Sequence, residues 1–109
     1  MIFLVTREGV YRHEIMGLRS SEDAAIRLAT DCALEEGDDY HCFDVLEMAL
    51  DGPCEVESCL IFEVSRRDER GPPVTKYGKG PILSSVLTLR DYRTGTQKQV
   101  ASVHSGAAP

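Results

Sequence analysis

The chain has 109 residues, 42% apolar and 28% charged, with a net charge of −6. That is the length of one domain with one modest core, and no apolar run approaches the roughly 18–20 residues a membrane-spanning helix needs. The charge is split: residues 1–69 carry 17 acids against 6 arginines and no lysine, a net of −11, whereas residues 70–109 carry six Lys or Arg against Asp91 alone, a net of +5. The net −11 of the first segment disfavours phosphate contacts, which need an excess of Lys and Arg. The second suits an anionic surface, whether its own body, a neighbouring copy or a nucleic acid.

In chain order, Ile2 to Thr6 reads as a strand apolar on both sides, and Val10 to Gly17 as a more exposed one. Glu8-Gly9 between them suits a tight hairpin, because glycine accepts positive φ. Ser20-Ser21-Glu22-Asp23 then supplies a helix start, with a capping serine and two acids at the positive end of the dipole. Ala24, Ala25, Leu28, Ala29, Cys32 and Ala33 recur at helical spacing over about 21–36, and Gly37 is the expected stop. The alanines let this helix approach a sheet closely.

Glu35, Glu36, Asp38 and Asp39 follow at the helix C-terminus, where the dipole favours cations. Local helix stability therefore does not explain this acidic patch, which is either a solvated loop or a binding surface. His41 to Leu50 and Val56 to Val64 are the third and fourth strands, separated by the turn Asp51-Gly52-Pro53. The fold class is α+β: a four-stranded antiparallel sheet in the order β-β-α-β-β with one helix on a face. Leu28, Ala29 and Cys32 are expected to be buried with Leu4, Leu46, Leu60 and Phe62.

Residues 1–69 thus read as an acidic body that folds by itself. Arg66 to Gly80, with its Arg-Arg-Asp-Glu-Arg run and its Gly-Pro-Pro, reads as a linker, centred on 70–81. Ile82 to Tyr92 and Thr96 to Val103 pair as a hairpin around Arg93-Thr94-Gly95, and 82–109 forms a basic arm and tail. A lone hairpin is marginal in water. The arm is therefore expected to dock on another chain or across its own body rather than to extend the sheet.

Chemistry-bearing sets are few. The four cysteines, Cys32, Cys42, Cys54 and Cys59, read as free thiols, and their spacing lacks a zinc knuckle apart from a loose C-x₄-C. His41 and Cys42 are neighbours on a strand and point to opposite faces. A nucleophile pair of Cys42 or Cys59 with His13 would sit in acidic surroundings, which raise a thiol pKa. Gly78-Lys79-Gly80 lacks the rest of a phosphate loop. No metal, cofactor or catalytic residue is expected, and the chain is read as non-enzymatic. The candidate partner-binding residues are the cations and tyrosines of the second segment: Arg70, Lys76, Tyr77, Lys79, Arg90, Tyr92, Arg93 and Lys98.

The junction Gly17-Leu18-Arg19-Ser20-Ser21-Glu22-Asp23-Ala24-Ala25 resembles that of a loose group of small uncharacterised bacterial and phage proteins. They share a "G-[ILVF]-[RFY]-S-[ST]-x-x-x-A" pattern between strand and helix. The likeness covers about residues 1–65 and carries no activity with it. Independently of that likeness, the acidic body and basic arm are read together as a non-enzymatic interaction or assembly protein, expected to be a phage structural or accessory protein whose arm contacts a neighbouring subunit. The alternative is a small acidic inhibitor or regulator of a basic, nucleic-acid-binding target. The opening has no basic residue before its apolar stretch, so no secretory signal is expected. The expected location is the host cytoplasm, or the virion if the protein is phage-encoded.

Overall fold

In a computed structural model, residues 1–8, 13–35, 40–49, 51–52 and 59–104 are described, excepting the side chains of His13, Tyr40, His41 and His104. The elements are β1 (Ile2–Glu8), β2 (His13–Arg19), α1 (Glu22–Glu35), β3 (Tyr40–Met48), β4 (Leu60–Arg70), β5 (Ile82–Asp91) and β6 (Thr96–His104). The strands form a single antiparallel sheet in the order β2-β1-β3-β4-β5-β6. The α+β class holds, but the sheet has six strands, not four. The C-terminal hairpin is joined to it along β4 and extends it.

β2 runs on past Gly17 through Leu18 and Arg19, which pair with Leu4 and Phe3. The difference in strand number arises at β4. β4 runs on through Arg66-Arg67-Asp68-Glu69-Arg70, which read as a linker because every side chain is charged. The run alternates like any strand. Arg66 and Asp68 point to the helix side, where Arg66 is buried, while Arg67 and Glu69 are exposed.

α1 begins as expected. The Ser21 hydroxyl accepts a hydrogen bond from the Ala24 amide at 3.2 Å, and the Ser21 carbonyl accepts the first helical bond from Ala25. Ala25, Ala29 and Ala33 are fully buried and lay the helix across β1 to β4. Gly17 sits beneath it, where a Cβ would come within 2.8 Å of Leu28 Cδ2. Leu28 and Cys32 pack against the core while staying partly exposed.

The sheet face under the helix carries Phe3 and Val5 from β1, Phe43 and Val45 from β3, Phe62 and Val64 from β4, and Leu87 and Leu89 from β5. Leu4, Leu46 and Leu60 stand in one row on the other face, so of the sheet residues expected beneath the helix only Phe62 is there. Both alternating sets of β1 and β3 are apolar. Sequence periodicity therefore could not choose between the faces, whereas the bulk of the phenylalanines fills the space that the alanine helix leaves.

Three bulges adjust this face. The register slips at Met16, Ile61 and Val100, each an extra residue within a paired strand, and a fourth slip, at Leu83, adds nothing to the core. Met16-Gly17, Ile61-Phe62 and Val100-Ala101 consequently both lie against the helix side, and the three added residues pack on the core. A bulge turns a side chain and bends its strand. Two of these three lie on the outermost strands, β2 and β6.

The C-terminus of α1 has no basic residue of its own. Arg66 supplies the missing cation from β4. Its Nη1 donates to the carbonyls of Ala33 at 2.9 Å and Leu34 at 3.1 Å. Its Nε donates to Asp68 at 2.8 Å, and its Nη2 to the Ser85 hydroxyl at 3.1 Å. Ser85 in turn donates to Asp68. One guanidinium thus ties α1, β4 and β5 together, satisfying helix carbonyls that have no partner of their own. Replacing Arg66 by Ala strands a buried carboxylate. We expect a loss of about 3–5 kcal/mol in chemical denaturation, with Arg66→Met/Asp68→Leu less damaging than Arg66→Ala alone.

The hairpin belongs to the core through Leu87 and Leu89. Truncation after Arg70 removes both and bares the length of β4 as an edge. The expected product of residues 1–70 is aggregated or lacks a cooperative unfolding transition, and a soluble, sharply melting fragment would contradict this.

Candidate interaction site

The basic residues of the second segment fall into two groups, one at each end of β5. With ten residues in that strand, the groups are about 30 Å apart. At one end is the β4–β5 connection, residues 71–81; at the other is the β5–β6 turn.

The connection is a closed loop. The Gly71 amide donates to the Pro81 carbonyl at 2.9 Å, continuing the ladder for one more rung. Arg70 Nη1 donates to the Gly80 carbonyl at 2.8 Å. Gly80 is buried against Gly71, so closely that a Cβ there would collide with the Gly71 carbonyl oxygen. Only glycine permits that approach. Chain ends held together around a short excursion make a compact surface loop, a frequent carrier of function.

At the tip, the Gly78 amide donates to the Thr75 carbonyl at 3.2 Å, which places Lys76 and Tyr77 at the corner of a turn. Lys76 Nζ lies 5.6 Å from the centre of the Tyr77 ring. Tyr77 is 92% exposed and Val74 86%, and Lys79 is exposed beside them. The tip thus sets an exposed tyrosine and valine beside two lysines, on a segment with no acid. Arg70, Lys76, Tyr77 and Lys79 were legible as candidates. Val74 was not singled out; its signal was an apolar residue standing alone in a Gly/Pro-rich stretch.

The other end is built differently. Tyr92-Arg93-Thr94-Gly95 turns the chain, with the Gly95 amide donating to the Asp91 carbonyl at 2.8 Å and Gly95 at a positive φ of 73°. Arg93 reaches back to the start of α1, where Nη1 pairs with Glu22 Oε1 at 2.7 Å and Nη2 with Oε2 at 3.3 Å. Its guanidinium lies 4.7 Å from the centre of the Phe62 ring. Donating these bonds to the Glu22 carboxylate holds the guanidinium pKa above the usual arginine range. Desolvation alone would raise the Asp91 carboxyl, but the Arg93 amide and side chain outweigh it and leave the pKa below the usual carboxylate range. Arg93 is therefore engaged within the molecule.

Arg90 and Tyr92 lie together on the sheet face away from the helix, with the Arg90 guanidinium 5.1 Å from the ring centre. The Tyr92 hydroxyl donates to Glu63 at 3.1 Å, and burial together with that carboxylate raises its pKa. Lys98 lines a cleft of about 300 Å³ between the first turn of α1 and the hairpin, with Glu22, Asp23, Ile26, Phe62, Leu89, Asp91 and Thr96. This cleft joins residues some 70 positions apart and had no signal in the sequence.

Of the acidic patch, Glu35 is the exposed last residue of α1, and Glu36, Asp38 and Asp39 lie outside the described residues. Cys32, Cys42 and Cys59 are free thiols, while Cys54 lies outside the described residues. Among the described residues, no three His, Cys, Asp or Glu side chains gather as a metal site would require, and no helix is long and apolar enough to cross a membrane.

Comparison with protein-family models, with characterised proteins and with solved structures returned no match to this chain. The geometry alone therefore carries the functional reading.

The loop closure is testable at its base. Gly80→Ala forces Gly71 and Gly80 apart and breaks the Arg70 contact. We expect a cost of about 1–3 kcal/mol and faster amide exchange confined to residues 71–81, with the β3–β4 ladder unchanged.

Proposed function

We propose that this chain is a non-enzymatic interaction or assembly protein that binds a neighbouring subunit through its basic C-terminal segment, with the closed loop 71–81 as the contact point. The observation that carries this reading is the tip: Val74 and Tyr77 almost fully exposed, with Lys76 and Lys79, on a loop whose base is fastened by Gly71, Gly80 and Arg70. Tyrosine gives a large contact area at low entropic cost, and the fastened base lowers the ordering cost of binding. Neighbouring lysines add steering toward an acidic partner. A phosphate backbone is a poorer fit, since the tip offers few cations and the chain as a whole is at −6.

A photo-crosslinking residue in place of Tyr77 should yield one recurrent, mass-identified protein adduct in the native host. The same residue in place of Asp31, exposed on α1, should not. Equal or absent labelling from the two positions argues against the loop as the contact. Tyr77→Ala with Lys76→Glu should remove the adduct formed from a probe at Val74, while the unfolding free energy stays within about 0.5 kcal/mol of the parent.

A further inference from the structure

The exposed tip and the cleft beside α1 stand at opposite ends of β5, and their chemistry is complementary. The tip, residues 71–81, carries Lys76 and Lys79 and no acid. The cleft is rimmed by Glu22, Asp23 and Asp91 over the apolar floor of Phe62, Ile26 and Leu89. Its volume, about 300 Å³, is at the small end for a ligand pocket and has room for one tyrosine side chain. Glu22 and Asp91 are already paired with Arg93, whereas Asp23 is an exposed carboxylate at the rim.

We propose that the occupant of this cleft is the loop tip of a second copy of this chain. Tyr77 enters above Phe62 and Leu89, and Lys76 meets Asp23. Lys98, which also lines the cleft, presents its ammonium to the incoming tyrosine, whose ring or hydroxyl accepts it. The loop and the cleft are different surfaces, so the contact is heterologous. Each copy keeps a free tip at one end and a free cleft at the other, and the assembly grows head to tail, as an open chain or a closed ring. Each contact is small and therefore weak, and its opposed charges make it sensitive to salt. This inference rests on the loop being the contact element and adds the identity of the partner.

Sedimentation velocity on the full chain tests it. At low salt the weight-average mass should rise with concentration past that of a dimer, and it should fall back in about 1 M salt, where charge interactions are screened beyond roughly 3 Å. A tip variant, Lys76→Glu with Tyr77→Ala, and a cleft variant, Asp23→Arg, should each be monomeric alone. Mixed in equal amounts they should form dimers and nothing larger, because only one intact tip and one intact cleft remain to meet. Thr96→Arg is a second cleft variant, should Asp23→Arg disturb the start of the helix; circular dichroism checks the fold of each. A parent chain that stays monomeric up to about 1 mM overturns self-docking and leaves the loop's role toward another protein standing. A tip variant that assembles like the parent overturns self-docking through the loop, and the crosslink at Tyr77 then decides separately whether the loop contacts another protein. Mixed variants that grow past a dimer overturn the head-to-tail geometry.

Discussion

The Arg66 guanidinium is the contact on which the architecture turns. A helix ending in Leu34 and Glu35, with more acids to follow in the chain, offers its dipole nothing favourable from its own sequence. The cation arrives from a strand more than thirty residues further on and binds the last helix carbonyls. Such a group is costly to bury. It is tolerated here because Asp68 neutralises it and Ser85 links the two. The consequence is topological: the helix fixes Arg66, Arg66 fixes Asp68 and Ser85, and these hold β5 against β4.

At the other end of the helix, Arg93 plays a looser version of the same part. It joins the hairpin turn to the first turn of α1 through Glu22, on the surface and over the Phe62 ring. An exposed pair of this kind contributes little by itself. Its value is positional, since it sets the hairpin beside the helix and leaves the cleft between them. The opposition of charge between the two halves of the chain is thus used partly inside the molecule, at Arg93.

Between these ends the sheet fits its helix through bulges. A straight antiparallel strand sends alternate residues to opposite faces, so it can offer only every second side chain to the helix. Met16, Ile61 and Val100 break that rule, each giving the core one more apolar group. With so few aromatics and a helix whose buried residues are alanines, the core needs those additions. The same bends keep the outer strands β2 and β6 from being flat edges.

Much of this was readable from residues alone. The start of the helix followed from Ser21, its face from the alanines, and the C-terminal hairpin from Arg93-Thr94-Gly95, all to within a residue or two. Among the candidate contact residues, Lys76, Tyr77 and Lys79 stood out because a Gly/Pro-rich stretch has no core reason to carry them. Tertiary structure alone decided the rest. A fully charged run became a central strand because Arg66 and Asp68 neutralise each other where neither could be buried singly. The sheet face under the helix was chosen by volume, to which hydrophobic periodicity is blind when both faces of a strand are apolar. The cleft beside α1 exists only where residues from both halves of the chain converge. Local sequence encodes propensity and pattern; which distant charge meets which, and which apolar face is covered, is settled when the whole chain closes on itself.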